Sequence, residues 1–319
     1  MDADAITAAL TALAPRLGAE TIGGVTLLTG GASMQTWAFD AVTGDRATPL
    51  ILRRRPALHK ENGLPLATEA ALIAGAGAAG VPVPRILLLS AADAPLGEAV
   101  VMARLDGEAL GVRIVRSPVF APARALLPAQ CGAALAAIHA MPPDIAPLER
   151  RGPAETLALY RAAWEQDPLP RAAIAAAFRW LADTLPQPVE ARVLHGDFRT
   201  GNILVDPERG LTGVLDWELA HLGDPAEDLG WLCVNSWRFG GAGEVGGFGD
   251  LDALLAAYNQ AAADPVEAAR VRWWQAMGSL KWATMTRTMH LAGGGSIERA
   301  VIGRRLSECE ADLVGLMTA

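Results

Sequence analysis

Cysteine is scarce. The three in this 319-residue chain, Cys131, Cys233 and Cys309, are far apart and form no CxxC pair. That excludes a disulfide framework and a cysteine-based zinc site, and it suits a reducing compartment. Positive charge is also short: the formal net charge is −8 and the sequence pI is near 5.2. An acidic chain offers no basic face to a phosphate backbone, so nucleic acid is not an expected partner. Long apolar runs are missing too. The longest candidate, between Glu69 and Arg85, is broken by Gly75, Gly77, Gly80, Pro82 and Pro84, so no membrane span is expected. The opening Met-Asp-Ala-Asp-Ala has neither the basic nor the apolar region of a secretory signal, and the expectation is a cytoplasmic protein. There is no internal repeat and no low-complexity linker, the most loop-like stretch of the second half being Gly240 to Gly249.

What the chain does have is apolar material. Hydrophobic residues make up 51% and charged residues 19%, enough for a sizeable core in one or two lobes. Residues 2 to 17 pattern as a short amphipathic helix. Strand signals follow at Val25 to Leu28, at Trp37, Phe39 and Ala41, and at Leu50 to Leu52, with a turn at Thr43-Gly44-Asp45. A helix is expected over 66 to 79, stopped by Gly80 and Pro82, and two more strands over 86 to 89 and 99 to 102. After Gly107 the pattern turns helical: 124 to 140, 154 to 185, 251 to 262, 266 to 290 and 297 to 317. The expected class is α+β, with a small antiparallel sheet over residues 1–106 and a mainly helical part over 107–319.

The chemistry concentrates between Val193 and Trp231. His195-Gly196-Asp197 is followed by Asn202, five positions after the aspartate. This is the spacing of the H-R-D-x-x-x-x-N catalytic loop with glycine in place of arginine. The aspartate must meet an acceptor hydroxyl while the amide oxygen reaches a metal on the phosphates, and a short loop lets both point into one cleft. Ile203 to Val205 and Leu211 to Leu215 flank the turn Asp206-Pro207-Glu208-Arg209-Gly210, which reads as a hairpin. A hairpin returns to its start, so Asn202 and Asp216 belong at one open end as a hard-oxygen pair suited to Mg²⁺. His195 is expected to hold the loop through backbone hydrogen bonds, Asp224 to cap a helix, and Asp228 to anchor a loop.

The stretch VLHGDFRTGNILVDPERGLTGVLDWELAHLGDPAEDLGW resembles the aminoglycoside phosphotransferase and choline kinase group. Within it, the LDWELAHLGDPAEDLGW segment is similar to the kinase-like domain fused to some acyl-CoA dehydrogenases. The resemblance runs from about Leu27 to Leu316 and implies a bilobal protein-kinase-like fold and an ATP-dependent, Mg²⁺-dependent small-molecule phosphotransferase. It implies Asp197 as catalytic residue and Asn202 and Asp216 as metal ligands. Gly30, Gly31 and Ser33 match the loop over the phosphates, and Ile51 and Met102 match the adenine-side strand and hinge, the hinge running to Leu105. Arg53 takes the place of the phosphate-pairing lysine, with Arg54 as the register alternative. Glu69 matches its acidic partner, a first-turn helix carboxylate being the other reading. Glu218 is open between a metal-bound water and the hairpin end. Tyr160 and the tryptophans of the helical half are assigned to the core, with a few walling an acceptor pocket. Lys281, Arg287, Arg304 and Arg305 are candidates for an anionic acceptor but read mostly as solvated helix faces. The acceptor is left between a hydroxyacyl-CoA or hydroxy acid and an aminoglycoside, macrolide or amino alcohol. The contrary class is a non-catalytic nucleotide-binding module. Self-association as a homodimer and ATP against GTP are left open.

Overall fold

In the computed structural model, which describes residues 1–28, 34–55, 63–166, 169–291 and 301–318, the N-terminal part is built on one antiparallel sheet. Strands β1 (Thr21–Leu27), β2 (Gln35–Thr43), β3 (Arg46–Arg54), β4 (Ile86–Ser90) and β5 (Ala99–Ala103) lie in the order β1-β2-β3-β5-β4. The β2–β3 hairpin closes at Thr43 opposite Arg46, with Gly44 at φ 55. A positive φ at the first of two loop residues is the glycine position of a type II′ turn, whose twist suits a hairpin.

Period-two alternation decides what each face of β3 meets. Leu50 and Leu52 join Trp37, Phe39 and Val101 under helix α1 (Ala3–Leu13), where Ile6 and Leu10 are fully buried. Ile51 faces the other way, towards a smaller cluster of Met34, Leu66, Val100 and Met102 beside α2 (Leu66–Ala78). Arg53 shares that second face.

The helical part holds α3 (Gly111–Arg116), α4 (Ala121–His139), α5 (Pro153–Glu165), α6 (Ala172–Asp183), α7 (Ala226–Cys233), α8 (Leu251–Ala261), α9 (Ala268–Leu291) and α10 (Arg305–Thr318). Leu127, Cys131, Leu135 and Ile138 of α4 are all fully buried. Gly132 lets α8 approach, since a Cβ there would stand 2.5 Å from the Leu254 carbonyl oxygen. Among the described residues, Pro118–His139, not 69–85, is the helical stretch long and apolar enough by length and composition to cross a membrane; half of its most apolar window is buried inside the protein, as in a core helix. The structure also shows α3 and α7, which the apolar pattern did not announce, and divides the 154–185 region into α5 and α6. Of the helix expected over 297–317, the last part is α10, and residues 297–300 lie outside the described residues.

Four short strands frame the chemistry. β6 (Arg192–Leu194) pairs with β9 (His221–Gly223), and β7 (Ile203–Asp206) pairs with β8 (Gly210–Val214), all antiparallel. Residues 195–202 thus run from one small sheet to the other, and residues 215–220 run back beside them. Glu108 and Val205 exchange backbone hydrogen bonds of 2.9 and 3.0 Å, which seats the chain leaving β5 against the hairpin.

Candidate active site

The hairpin brings the predicted metal pair together. Ile203 lies opposite Val214, and the Leu215 N–H donates to the Asn202 carbonyl at 2.8 Å. The Asn202 Nδ2 donates to Asp197 Oδ2 at 2.6 Å and to the Asp197 carbonyl at 3.0 Å. Both bonds leave through the nitrogen, so Oδ1 is the amide atom suited to a cation. Asp216 sits at φ 67, a left-handed conformation that a short polar side chain tolerates and that recurs where function over-determines the backbone. Among the described residues no three His, Cys, Asp or Glu side chains are grouped to hold a metal. A cation on Asn202 and Asp216 must then complete its shell with phosphate oxygens and water, which is how Mg²⁺ is held at nucleotide sites. The donor set fits that ion.

Asp197 is heavily supported. Its Oδ1 accepts from Trp231 Nε1 at 2.7 Å and from Arg199 Nε at 3.1 Å. Its backbone N–H donates to His195 Nδ1 at 3.2 Å, while His195 Nε2 meets the Leu215 carbonyl at 3.0 Å. A ring that accepts at Nδ1 and donates at Nε2 is neutral. Burial lowers its pKa in the same sense. One imidazole thereby ties the loop of Asp197 to the loop of Asp216, the structural role expected of it.

Asp228 clamps the same loop from below. It accepts from the His195 N–H at 2.8 Å, the Gly196 N–H at 2.9 Å and His139 Nε2 at 3.1 Å, and His139 Nδ1 meets the Tyr258 hydroxyl at 2.8 Å. Burial alone would raise the Asp228 pKa, but the His139 hydrogen bond and the neighbouring imidazoles outweigh it and the net shift is downward. Gly196 replaces the arginine of the protein-kinase motif for a local reason. It sits at φ 78, and a Cβ would stand 2.2 Å from the Leu219 carbonyl oxygen. Asp224, one residue before the Pro225 N-cap of α7, accepts from the Ala226 N–H at 3.0 Å and also holds Arg270 and Trp274. The Gly240–Gly249 loop is packed, not free: the Thr200 hydroxyl donates to the Gly246 carbonyl at 3.0 Å.

Across the cleft, Arg53 is the residue aimed at the site. It donates to Glu69 Oε2 at 3.1 Å and to Asp216 Oδ1 at 3.0 Å. Arg54 points to the opposite face, donating to the Leu96 carbonyl and to Gln35. Glu69 is 2% exposed. Burial pushes its pKa up to about 7, with Arg53 pulling the other way. Arg55 stands 3.7 Å from the second Glu69 oxygen, so two cations flank one buried carboxylate. A cavity of about 620 Å³ opens between sheet and hairpin, lined by Ile51, Arg53, Met102, Leu105, Asn202 and Asp216 among others. Gly30, Gly31 and Ser33 lie outside the described residues. Leu28 and Met34, on either side of them in the sequence, line the cavity.

Sequence reasoning passed over Arg199 and Arg55 and misplaced Lys281. Lys281 is no solvated helix cation: it is 6% exposed, donates to the Gly196 carbonyl at 3.2 Å, and lies 4.5 Å from the Trp231 ring centroid. Burial alone would lower its pKa, but Tyr160, Glu227 and Asp197 outweigh that and raise it. Arg287 lies over Trp164, 5.4 Å from the ring centroid, and Arg305 is within 3.6 Å of Glu308 on its own helix. The available signal was the mixed chemistry of the α9 sequence, whose Trp273, Trp274 and Trp282 bracket the lysine.

Comparisons with known proteins bear on the family and the fold. A model of the phosphotransferase enzyme family matches residues 24–275. Acyl-CoA dehydrogenase family member 10 of Mus musculus is 41% identical over 76 residues, which is 24% of this chain and only 7% of that protein. Among solved structures, a Ralstonia eutropha JMP134 protein described as an aminoglycoside phosphotransferase superposes with a TM-score of 0.75 at 18% identity, covering 99% of this chain and 98% of that one. An amicoumacin kinase in complex with AMP-PNP, Ca²⁺ and Ami superposes with a TM-score of 0.62 at 15% identity over 90% and 88% of the two chains. The shared fold is the bilobal kinase-like α+β architecture.

Proposed function

The chain belongs to the phosphotransferase enzyme family, and on that premise we propose that it transfers the γ-phosphoryl group of ATP to a hydroxyl of a small molecule. The supporting observation is convergence: Asp197, Asn202 and Asp216 meet at one end of the hairpin, and Arg53 joins them from the opposite side at 3.0 Å from Asp216. The nucleotide would occupy the interlobe cavity, with adenine along Ile51 and the Met102–Leu105 backbone. Asn202 Oδ1 and the Asp216 carboxylate would hold Mg²⁺, which supplies neutralisation of the phosphate oxygens. Arg53, tethered by Glu69, would turn its guanidinium to the same phosphates. Asp197 would accept the hydrogen bond of the acceptor hydroxyl and orient it.

Arginine in place of lysine is the feature that would favour a non-catalytic nucleotide binder. The intact Arg53–Glu69 pair and the retained Asp197, Asn202 and Asp216 weigh against that reading. The similarity to acyl-CoA dehydrogenase family members supports a hydroxyacyl-CoA or hydroxy-acid acceptor, and the structural neighbours support an aminoglycoside, macrolide or amino alcohol. ADP release with Mg-ATP, measured over a panel of hydroxyacyl-CoAs, hydroxy acids, aminoglycosides, macrolides and choline, tests the reading. Turnover is expected on one class and should fall by ~10²-fold or more in Asp197→Asn. Near-normal turnover in that variant removes Asp197 from the chemistry. Failure to bind Mg-ATP removes the whole assignment.

A further inference from the structure

A cation covers the catalytic carboxylate. Arg199 directs Nε at both Asp197 oxygens, 3.1 Å from Oδ1 and 3.3 Å from Oδ2. Its guanidinium lies over Trp237, 4.4 Å from the ring centroid, and Trp237 meets Trp231 at 5.1 Å. Trp231 in turn donates to Asp197. Gly201 makes room for this arrangement: it sits at φ 112, and a Cβ would stand 2.8 Å from Arg199 Nη1. Asp197, Arg199, Trp231 and Trp237 do not line the interlobe cavity, whose catalytic-loop residues are Gly201 and Asn202. They form the side of the site from which an acceptor, rather than the nucleotide, would reach Asp197.

A carboxylate has about four lone-pair positions. Trp231 and Asn202 take one on each oxygen, and the forked bond from Arg199 spans the two that remain. An acceptor hydroxyl must therefore displace Arg199 or share its place. An ammonium group on that acceptor would meet the guanidinium as a like charge. A carboxylate or phosphate would instead replace Asp197 as its partner, and the planar fork matches either one bidentately. Stacking on Trp237 holds the guanidinium in plane during the exchange. Asp197 is the carboxylate paired with Arg199, while Asp228 and Glu227 on α7 are engaged elsewhere, Asp228 by two backbone amides and His139, and Glu227 by His221 and Lys281.

Resting on the phosphotransfer reading, we propose that Arg199 is a specificity-determining residue for acceptors that carry an anionic group close to the phosphorylated hydroxyl. Calorimetric titration of the protein saturated with Mg²⁺ and AMP-PNP tests this with matched probes. These are 3-hydroxybutanoate, 3-hydroxybutanamide and 4-aminobutan-2-ol for the carboxylate, and glycerol 3-phosphate with glycerol for the phosphate. At least one anion should bind ~10-fold or more tightly than its uncharged counterpart, the scale of one charge-assisted hydrogen bond. The amine should bind more weakly than the amide. In Arg199→Gln the preference should shrink to within about two-fold, with AMP-PNP affinity unchanged, while Arg199→Lys should keep part of it. Equal binding of charged and uncharged probes in the wild type, absence of binding by all of them, or an undiminished preference in Arg199→Gln would overturn the assignment. Failure of AMP-PNP to bind in the first place overturns the phosphotransfer reading beneath it, so the two failures are told apart.

Discussion

Asp228→Asn is the most informative single substitution, because it changes charge and hydrogen bonding while leaving volume alone. The carboxylate is 0% exposed and serves three donors: Oδ1 accepts from the Gly196 N–H, and Oδ2 accepts from the His195 N–H and His139 Nε2. An amide has one oxygen. In the better orientation it keeps the Oδ2 partners and turns its NH₂ against the Gly196 N–H, orphaning one buried donor at about 1–3 kcal/mol and weakening the other two bonds. Removing one member of a buried charged network costs about 3–5 kcal/mol in all, against a total stability of about 5–15 kcal/mol for an ordinary domain. At about 1.5 °C per kcal/mol for a chain of this length, Tm should fall by about 4–8 °C. The pH dependence adds a second readout. The Asp228 pKa is depressed from the ordinary 3.8, so its stabilisation is present above that value and lost as pH falls through the folded one. The variant should lack this part of the acid limb. Scanning calorimetry from pH 3 to 8 with ADP release at 20 °C measures both, and kcat should drop more than the KM for ATP rises. A Tm within ~1 °C of wild type would refute the claim that this carboxylate holds the catalytic loop.

Glu69, raised to about 7 from 4.5, is protonated below that point, so kcat/KM for ATP should climb through pH 7 as Arg53 gains its counter-charge and be flat there in Glu69→Gln. The folded state keeps a proton the unfolded chain has released, so stability should decline between those two pH values in the wild type and not in the variant. Gly196→Ala should lower Tm and abolish most turnover, since a left-handed alanine costs about 1–2 kcal/mol before the Leu219 clash is counted; an unchanged Tm would mean the two loops are free to separate.

Much of the candidate site's geometry is legible in the sequence. The HGDxxxxN spacing and the Asp206–Gly210 turn placed Asn202 beside Asp216, and the observed pairing of Ile203 with Val214 is that hairpin. His195, Asp224 and Asp228 take the supporting positions expected of them. Other residues were not readable in the same way. Arg53 and Arg54 are adjacent cations on one strand, and alternation says only that they face opposite ways. Lys281 has the composition of a surface cation, yet it is buried under Trp231. Arg199 sits two residues from Asp197 and carried no motif of its own.

The division has a physical origin. Hairpin closure and loop length are local: turn chemistry and a period of two act over a few residues, so the sequence by itself determined that an aspartate, an amide and a second aspartate would share one end of a short sheet. Which face of β3 meets the cleft depends on where α1 packs, and that depends on Leu50 and Leu52 finding Ile6 and Leu10. The Asp228–His139–Tyr258 clamp joins residues up to 119 positions apart. The Arg199–Trp237 contact likewise depends on α7 and the turn that follows it delivering Trp231 and Trp237 to the loop of Asp197. Long-range burial, not local propensity, decided those meetings.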